Sequence, residues 1–343
     1  MGTIHHIARF LVRSLVLPAA LLFSSCIKDD LSRCGLDVVF RYTYNIVGAD
    51  AFSREADWVH LYVFDGSGSL VMQERAEGVR GDEDLRIRIP LTVAGEYSLV
   101  AFAGSSGAQD FIIPEMNEGD PEEKLTASVA RDAGGLSSER LNSLLIGTLD
   151  TDIDGTLRTV TVDMMKCTHT VRVILMPMQG DKELAPEDYD FALEDRCGTL
   201  ACDASPLGED EVIYKPCFLA GTSGSNSSRN TYTGAETAPA SGDGAVASSS
   251  AVVAEFSTSR LMRDFEPRLV IRNNLTGSEL MDIDLTWFLS LQEIEEHRSE
   301  WSDQEYLDRQ DEYAITFFID NDSWFQTRII VNGWVISFEN VEL

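Results

Sequence analysis

The residues of this sequence that offer the most definite chemistry are its six cysteines, at positions 26, 34, 167, 197, 202 and 217. Cys197 and Cys202 stand close enough along the chain to close a small loop, so we consider a disulfide between them, although spacing alone leaves other pairings open. Cys167 and His169 could instead join these two cysteines around a metal ion. We expect no metal site, because the sequence contains no C-x-x-C pair.

Cys26 differs from the other cysteines because it follows a segment with the character of a secretory signal. The start of the chain is weakly basic, residues 15–23 are apolar, and two serines directly precede the cysteine. The apolar stretch is well short of the ~20 residues that span a bilayer. The segment resembles a lipobox, in which the cysteine becomes the first mature residue and carries acyl chains. We therefore predict a signal peptide at residues 1–25 and lipid on Cys26.

Motifs of the familiar enzyme families are missing from this sequence. It contains no G-x-S-x-G, no H-E-x-x-H, no P-loop and no G-x-G-x-x-G ahead of a helix. Residues 150–154 (DTDID) begin like a calcium loop, but Thr161 occupies the position of the bidentate acid. We predict that the protein is not an enzyme and has no cofactor apart from the covalent lipid.

Tryptophan side chains could form a platform on which sugar rings stack. The sequence has five of them, at positions 58, 287, 301, 324 and 334. Tryptophans at strand spacing mostly belong to a core, and we expect core positions here. A surface glycan-binding lipoprotein is kept as an alternative function.

The charge of the chain restricts its partners. The formal net charge is −30, and the first 25 residues hold two arginines and no acid, so the mature chain carries about −30 − 2 = −32. Such a surface repels the phosphates of nucleic acids, which argues against nucleic-acid binding. It also repels anionic lipid headgroups, so membrane attachment must come from a covalent anchor and not from a basic patch.

The elements that must position these residues are mostly strands. Residues 58–64 (WVHLYVF) are β-branched and aromatic, turn residues follow at 65–69, and residues 70–74 return, which predicts a hairpin. At 85–89, apolar residues alternate with arginines, as in a half-buried strand. Further strand patterns occupy residues 36–46, 97–102, 142–149, 157–164, 170–175, 189–193, 211–218, 251–256, 268–272, 279–285, 313–319 and 327–338.

Three segments depart from the strand pattern. Residues 104–142 are rich in turn formers, so we expect at most short helical pieces there. Residues 221–250 are low in large apolar residues and predict a long mobile loop. Ser302 and Glu305 form a capping box that predicts a helix over 302–311, and 289–298 is a second possible helix. The pattern as a whole predicts an all-β chain with one or two short helices.

Several segments together resemble the anchor subunits of type V fimbriae of the Bacteroidales. They are CIKDDLSRC (26–34), WVHLYVFDG (58–66), GEYSLVAFAG (95–104), STSRLM (257–262), QEYLDRQDEY (304–313) and IVNGW (330–334). The acidic residues after Cys26 also resemble the export signal of surface lipoproteins. The resemblance implies two tandem transthyretin-like β-sandwich domains, at 36–165 and 166–343, after a lipidated tether at 26–35.

The same resemblance implies a non-enzymatic role. An anchor holds the base of a fimbrium to the outer membrane and ends its growth, and its partners are pilin subunits joined by β-strand donation. Shaft subunits of such systems lose an amino-terminal strand when an arginine-directed protease cuts them. We predict that this chain stays uncut at Arg54. The alternative is a shaft or tip adhesin subunit of the same kind of fimbrium.

Overall fold

The computed structural model describes residues 35–82, 85–91, 93–106, 110–154, 156–178, 183–222, 251–290 and 300–319, together with the backbone of 320, 323–331 and 334–336. This part of the chain contains 22 strands and three short helices. The all-β prediction is therefore confirmed.

The bounds of the elements follow the chain in order. The strands of the first half are β1 (Gly35–Arg41), β2 (Trp58–Asp65), β3 (Leu70–Glu77), β4 (Ile87–Ile89), β5 (Gly95–Gly104), β6 (Phe111–Ile112), β7 (Thr126–Val129), β8 (Leu136–Ser137), β9 (Leu144–Ile153), β10 (Leu157–Asp163) and β11 (Met165–Lys166). Those of the second half are β12 (Thr168–Pro177), β13 (Tyr189–Asp195), β14 (Thr199–Ala201), β15 (Val212–Tyr214), β16 (Phe218–Thr222), β17 (Ala251–Ser259), β18 (Arg268–Asn273), β19 (Glu279–Asp284), β20 (Glu312–Asp320), β21 (Ser323–Val331) and β22 (Trp334–Ile336). The helices are α1 (Phe52–Glu55), α2 (Leu285–Ser290) and α3 (Asp303–Arg309).

The first sandwich packs a three-stranded sheet against a five-stranded one. Sheet I has the order β10-β1-β4 and sheet II the order β11-β9-β5-β2-β3. β1 is the central strand of sheet I, parallel to β10 and antiparallel to β4. Alternate residues of β1 (Leu36, Val38) and of β2 (Val59, Leu61, Val63) face each other in one apolar core. The period of two in these strands is what buries one face of each sheet.

The second sandwich is built in the same way from larger sheets. Sheet III has the order β16-β17-β12-β20-β21-β22 and sheet IV the order β19-β18-β13-β15-β8. Its core includes Val171 and Val173 from β12, Phe256 from β17 and Phe191 from β13. Every strand of sheet III comes after residue 167, whereas β8 of sheet IV belongs to the first half of the chain.

A third layer joins the two sandwiches. Sheet V has the order β14-β7-β6, so β14 of the second half pairs with β7 of the first half, and β7 pairs in turn with β6. It covers the outer face of sheet II, where Tyr62 and Phe102 pack with Leu125, Ala127 and Leu200. The prediction of irregular chain before residue 142 was wrong for β6, β7 and β8, because strands of two to four residues are too short to show a period. The domain boundary near residue 165 stays a prediction.

The predicted hairpin and helix are confirmed in their main features. β2 and β3 pair antiparallel, and the Asp65 carboxylate accepts the backbone N–H of Ser67 at 2.9 Å, which closes the turn. The Ser302 hydroxyl accepts the N–H of Glu305 at 3.1 Å, as a capping serine does. The Glu305 carboxylate, however, bonds Arg309 and does not reach back to the cap.

Three other predicted boundaries differ from the structure. β1 ends at Arg41, earlier than the predicted strand over 36–46. α2 begins at Leu285, and residues 291–299 of the possible helix lie outside the described residues. Residues 221 and 222 of the predicted loop belong to β16, and the rest of that loop also lies outside the described part.

Candidate functional site

The described cysteines are free thiols. Cys26, predicted to carry the lipid, lies outside the described residues, whereas Cys167, Cys197, Cys202 and Cys217 are all unpaired. The disulfide considered between Cys197 and Cys202 is not formed in this structure.

The environment of these thiols also disfavours a metal centre. Burial raises the pKa of Cys167, Cys197 and Cys202 to about 12 each, so they remain protonated and poor ligands. Both ring nitrogens of His169 face backbone carbonyls, Nε2 at 2.9 Å from Leu307 O and Nδ1 at 3.3 Å from Ser259 O. No group of potential metal ligands occurs in the described part of the chain.

Two of the segments quoted above meet in a buried polar network. Arg260, directly after β17, forms a bidentate ion pair with Asp308 of α3, with N···O distances of 2.8 and 2.7 Å. The side chains are 13% and 4% exposed. Gln304 donates to Asp308 Oδ1 at 2.9 Å and accepts the N–H of Arg263 at 2.8 Å. STSRLM and QEYLDRQDEY are therefore parts of one structural unit, because the first supplies the buried Arg260 and the second supplies its partner Asp308.

Helix α3 also holds the first sandwich to the second. The Arg309 guanidinium lies over the rings of Tyr44 at 4.1 Å and Trp301 at 4.7 Å. The carbonyl oxygen of Arg309 accepts the N–H of Ile46 at 2.9 Å. Lys166 pairs with Asp311 and with Glu55 of the first sandwich. We call the contacts of α3 with both sandwiches the junction, and their function is to fix the relative position of the two bodies.

Asp195 of β13 is the one buried carboxyl group with an unpaired oxygen among the residues that the structure describes. Asp195 Oδ1 accepts the N–H groups of Arg196 at 2.7 Å and Cys197 at 3.3 Å. Its Oδ2 is buried and has no hydrogen-bond partner among the described residues. Burial raises the pKa of Asp195 from 3.8 to about 6. The charged form is therefore disfavoured in the folded protein.

We expect Asp195→Asn to change the pH dependence of stability. The pKa of Asp195 is higher in the folded protein than in the unfolded chain. Its ionisation therefore lowers the free energy of unfolding, with the full effect above about pH 6 and none below about pH 4. The stability of the variant relative to the native protein should therefore rise by about 1–3 kcal/mol between pH 4 and pH 7.5. Urea unfolding at several pH values measures this difference. A difference that stays constant over this range would contradict the role given to Asp195.

The sequence of this chain matches one known protein family. A sequence model of the fimbrillin-A associated anchor proteins Mfa1 and Mfa2 matches residues 31–340. The chain belongs to this anchor family. A comparison with curated protein sequences gives no match.

Solved structures share the fold of the anchor family. A candidate adhesin of Bacteroides thetaiotaomicron superposes with a TM-score of 0.74 at 27% identity, covering 90% of this chain and 98% of that one. A candidate polysaccharide-binding protein of the same species gives a TM-score of 0.72 at 28% identity, covering 89% and 98%. The fimbrial anchor protein Mfa2 of Porphyromonas gingivalis gives 0.63 at 20% identity, covering 88% and 98%, which is a likeness of fold.

Membership of the anchor family associates this chain with fimbriae at the cell surface and with adhesion. Among the described residues, no helix has the length and apolar character needed to cross a membrane.

For a member of the anchor family, the central position of β1 has a consequence. β1 has a hydrogen-bonded neighbour on each side, and Leu36 and Val38 are fully buried. Arg54 lies in the exposed part of α1, between β1 and β2. A cut there would separate β1 covalently from the rest of the sandwich and, if β1 left, would open an apolar groove between β10 and β4.

A second feature of interest is the edge of sheet III. In the described sheet, β16 has a neighbour on one side only, which is β17. Phe218 and Leu219 of this strand are 49% and 41% exposed. An exposed edge with apolar side chains is able to take up a further strand through its free backbone groups.

The sequence alone did not reveal the junction as a unit. Arg260 and Asp308 lay in segments quoted for their likeness to a family, and nothing in the spacing of 48 residues between them shows that they pair. The sequence offers no signal for this pair, because QEYLDRQDEY contains four acidic residues, at 305, 308, 311 and 312, and spacing does not show which of them faces Arg260.

Proposed function

We propose that this protein is an outer-membrane lipoprotein that anchors the base of a fimbrium and ends or regulates its assembly by sharing a β-strand with a pilin subunit. The observation that carries the proposal is the match of residues 31–340 to the anchor family, which covers nearly all of the predicted mature chain. The role needs no catalytic groups, because the protein would be held to the membrane by its lipid and to the pilin subunit by a shared β-strand.

The length of the tether supports attachment by lipid. β1 begins at Gly35, so 35 − 26 = 9 residue steps separate it from Cys26. Fully extended, this segment reaches ~30 Å. Acyl chains on Cys26 would therefore hold the first sandwich next to the bilayer. The mature chain carries a charge of about −32, so electrostatic attraction to anionic lipid headgroups would not contribute to its attachment.

The placement of β1 supports a terminal role in assembly. An uncut chain keeps its own strand between β10 and β4, so this groove is filled and offers no place for an incoming strand. A cut at Arg54 would instead give a shaft-like subunit that has also lost its lipid. The open edge of β16 remains as a place where main-chain hydrogen bonds to a partner strand can form.

The test is capture of the full-length lipidated protein from cross-linked outer membranes, followed by mass spectrometry of its partners and of its own amino terminus. We expect pilin subunits among the partners and a mature chain that starts at acylated Cys26. An Arg54→Lys variant serves as the control, because it removes the arginine that the protease needs. A native protein that starts after Arg54 while the variant starts at Cys26 would overturn the anchor role in favour of a shaft or tip subunit.

A further inference from the structure

A cleft on the outer face of sheet II has no role in anchoring as proposed above. Its main lobe has a volume of about 540 Å³ and lies between the β2–β3 hairpin and the segment 111–116. A second lobe of about 250 Å³ adjoins it and shares Trp58, Arg75, Phe111 and Ile113 with it. The main lobe falls within the ~300–1,000 Å³ of ordinary ligand sites.

Aromatic side chains form the floor of the main lobe. Trp58, His60 and Tyr62 occupy alternate positions of β2, so they lie in one row, and the residues between them face the sandwich core. The Trp58 indole donates Nε1–H to Ser105 O at 3.2 Å, which fixes the ring in its half-buried position. The Tyr62 hydroxyl is hydrogen-bonded to His60 Nδ1 at 2.8 Å. The row is thus held in place without any ligand.

Two exposed polar residues of β3 stand beside this row. Gln73 and Arg75 pair in register with Tyr62 and His60. The Arg75 guanidinium lies 5.2 Å from the centre of the Trp58 ring and also pairs with Glu77. The Arg75–Glu77 pair is more than half exposed and therefore weak, so Arg75 can move off the indole when another group stacks there.

The second lobe is lined by polar groups of the types that hydrogen-bond to hydroxyls. Its lining includes Asp110, Asn142 and the serines at 105, 106 and 143. Asp110 is 6% exposed, and its Oδ2 accepts from the N–H of Asn142 at 2.6 Å and from the side-chain amide of the same residue. Carboxylate, amide and hydroxyl groups therefore lie within one cleft with the Trp58 ring, whose faces suit the apolar side of a pyranose.

We propose that this cleft binds a neutral oligosaccharide, with one sugar ring stacked on Trp58 in place of the Arg75 guanidinium and its hydroxyls directed to the lobe of Asp110 and Asn142. The charge of the surroundings selects against acidic sugars. Glu77, Glu115 and Asp110 line the two lobes, and the whole chain carries −30. A uronate or sialate would meet this field of like sign.

The probe is a panel of neutral oligosaccharides of three to six units, with matched members that carry a uronate or sialate cap, titrated against the full mature protein. We expect at least one neutral member to bind and to change the tryptophan fluorescence, and its capped counterpart to bind more weakly. Trp58→Phe should remove the fluorescence change, whereas Trp287→Phe, at a partly buried position against the core of the other sandwich, should retain it. The double variant Gln73→Ala with Arg75→Ala, at exposed positions, should bind the oligosaccharide about tenfold more weakly.

Glu74→Ala is the matched control for this pair, because Glu74 is exposed on the same strand and is absent from the lining of either lobe. Its affinity should equal that of the native protein. The proposal is overturned if no member of the panel binds, if acidic members bind best, or if the Gln73 and Arg75 double variant binds as tightly as the control. Anchoring does not depend on any of these outcomes, so the two proposals fail separately.

Discussion

Asp308→Ala is expected to lower the free energy of unfolding by about 3–5 kcal/mol. The substitution leaves the Arg260 guanidinium buried without its carboxylate, and that charge cannot be neutralised because arginine stays protonated. Gln304 also loses an acceptor, since its amide donates to Asp308 Oδ1 at 2.9 Å. The loss should appear as a lower midpoint in guanidinium unfolding, with the junction affected most.

Two comparisons separate the buried charge from a general effect of mutation. Replacing both partners, as Arg260→Met with Asp308→Leu, should recover most of the loss, because no isolated charge remains. Glu209→Ala breaks an exposed ion pair with Arg196, in which the Arg196 side chain is 39% and the Glu209 side chain 65% exposed. This change should lower the free energy of unfolding by about 0–1 kcal/mol. If Asp308→Ala costs no more than Glu209→Ala, the Arg260–Asp308 pair does not stabilise the junction as described.

Cys26→Ser is expected to release the protein from the outer membrane almost completely. A serine hydroxyl cannot form the thioether that the proposed lipid attachment requires, and a chain of net charge −30 is not attracted to anionic lipid headgroups. Radiolabelled palmitate should label the native protein and not the variant. After cell fractionation, the variant should be found in the soluble fraction.

Cys34→Ser is the matched control for this change, because it removes the neighbouring thiol and leaves the predicted lipidation site intact. It should retain both palmitate labelling and membrane attachment. Retention of the Cys26→Ser protein in the outer membrane would mean that another part of the chain holds it there, and the proposed anchor would then need a different attachment.

Longer strands were predictable where their own residues carried the pattern. Residues 58–64 and 70–74 were predicted as a hairpin, and β2 and β3 form one. The strand type of residues 58–64 follows from their own β-branched and aromatic side chains and needs no information from outside the strand. The capping serine at 302 was found for the same reason, because its partner is only three residues away.

The short strands before residue 142 were not predictable in this way. β7 has four residues and pairs with β14, more than seventy residues later along the chain. Its pairing depends on where the second sandwich places β14, and a pattern of four residues contains no such information. The spacing of Cys197 and Cys202 likewise left their pairing open, and both are free thiols in this structure.

The sequence by itself determined the all-β class, the approximate positions of most longer strands and the likeness to the anchor family, because these depend on local periodicity and short motifs. Only the tertiary structure decided that Arg260 pairs with Asp308, that sheet V joins the two sandwiches, and that Trp58 lies in a cleft with Asp110. Each of these depends on residues distant along the chain, which are brought together when the sheets bury their apolar faces.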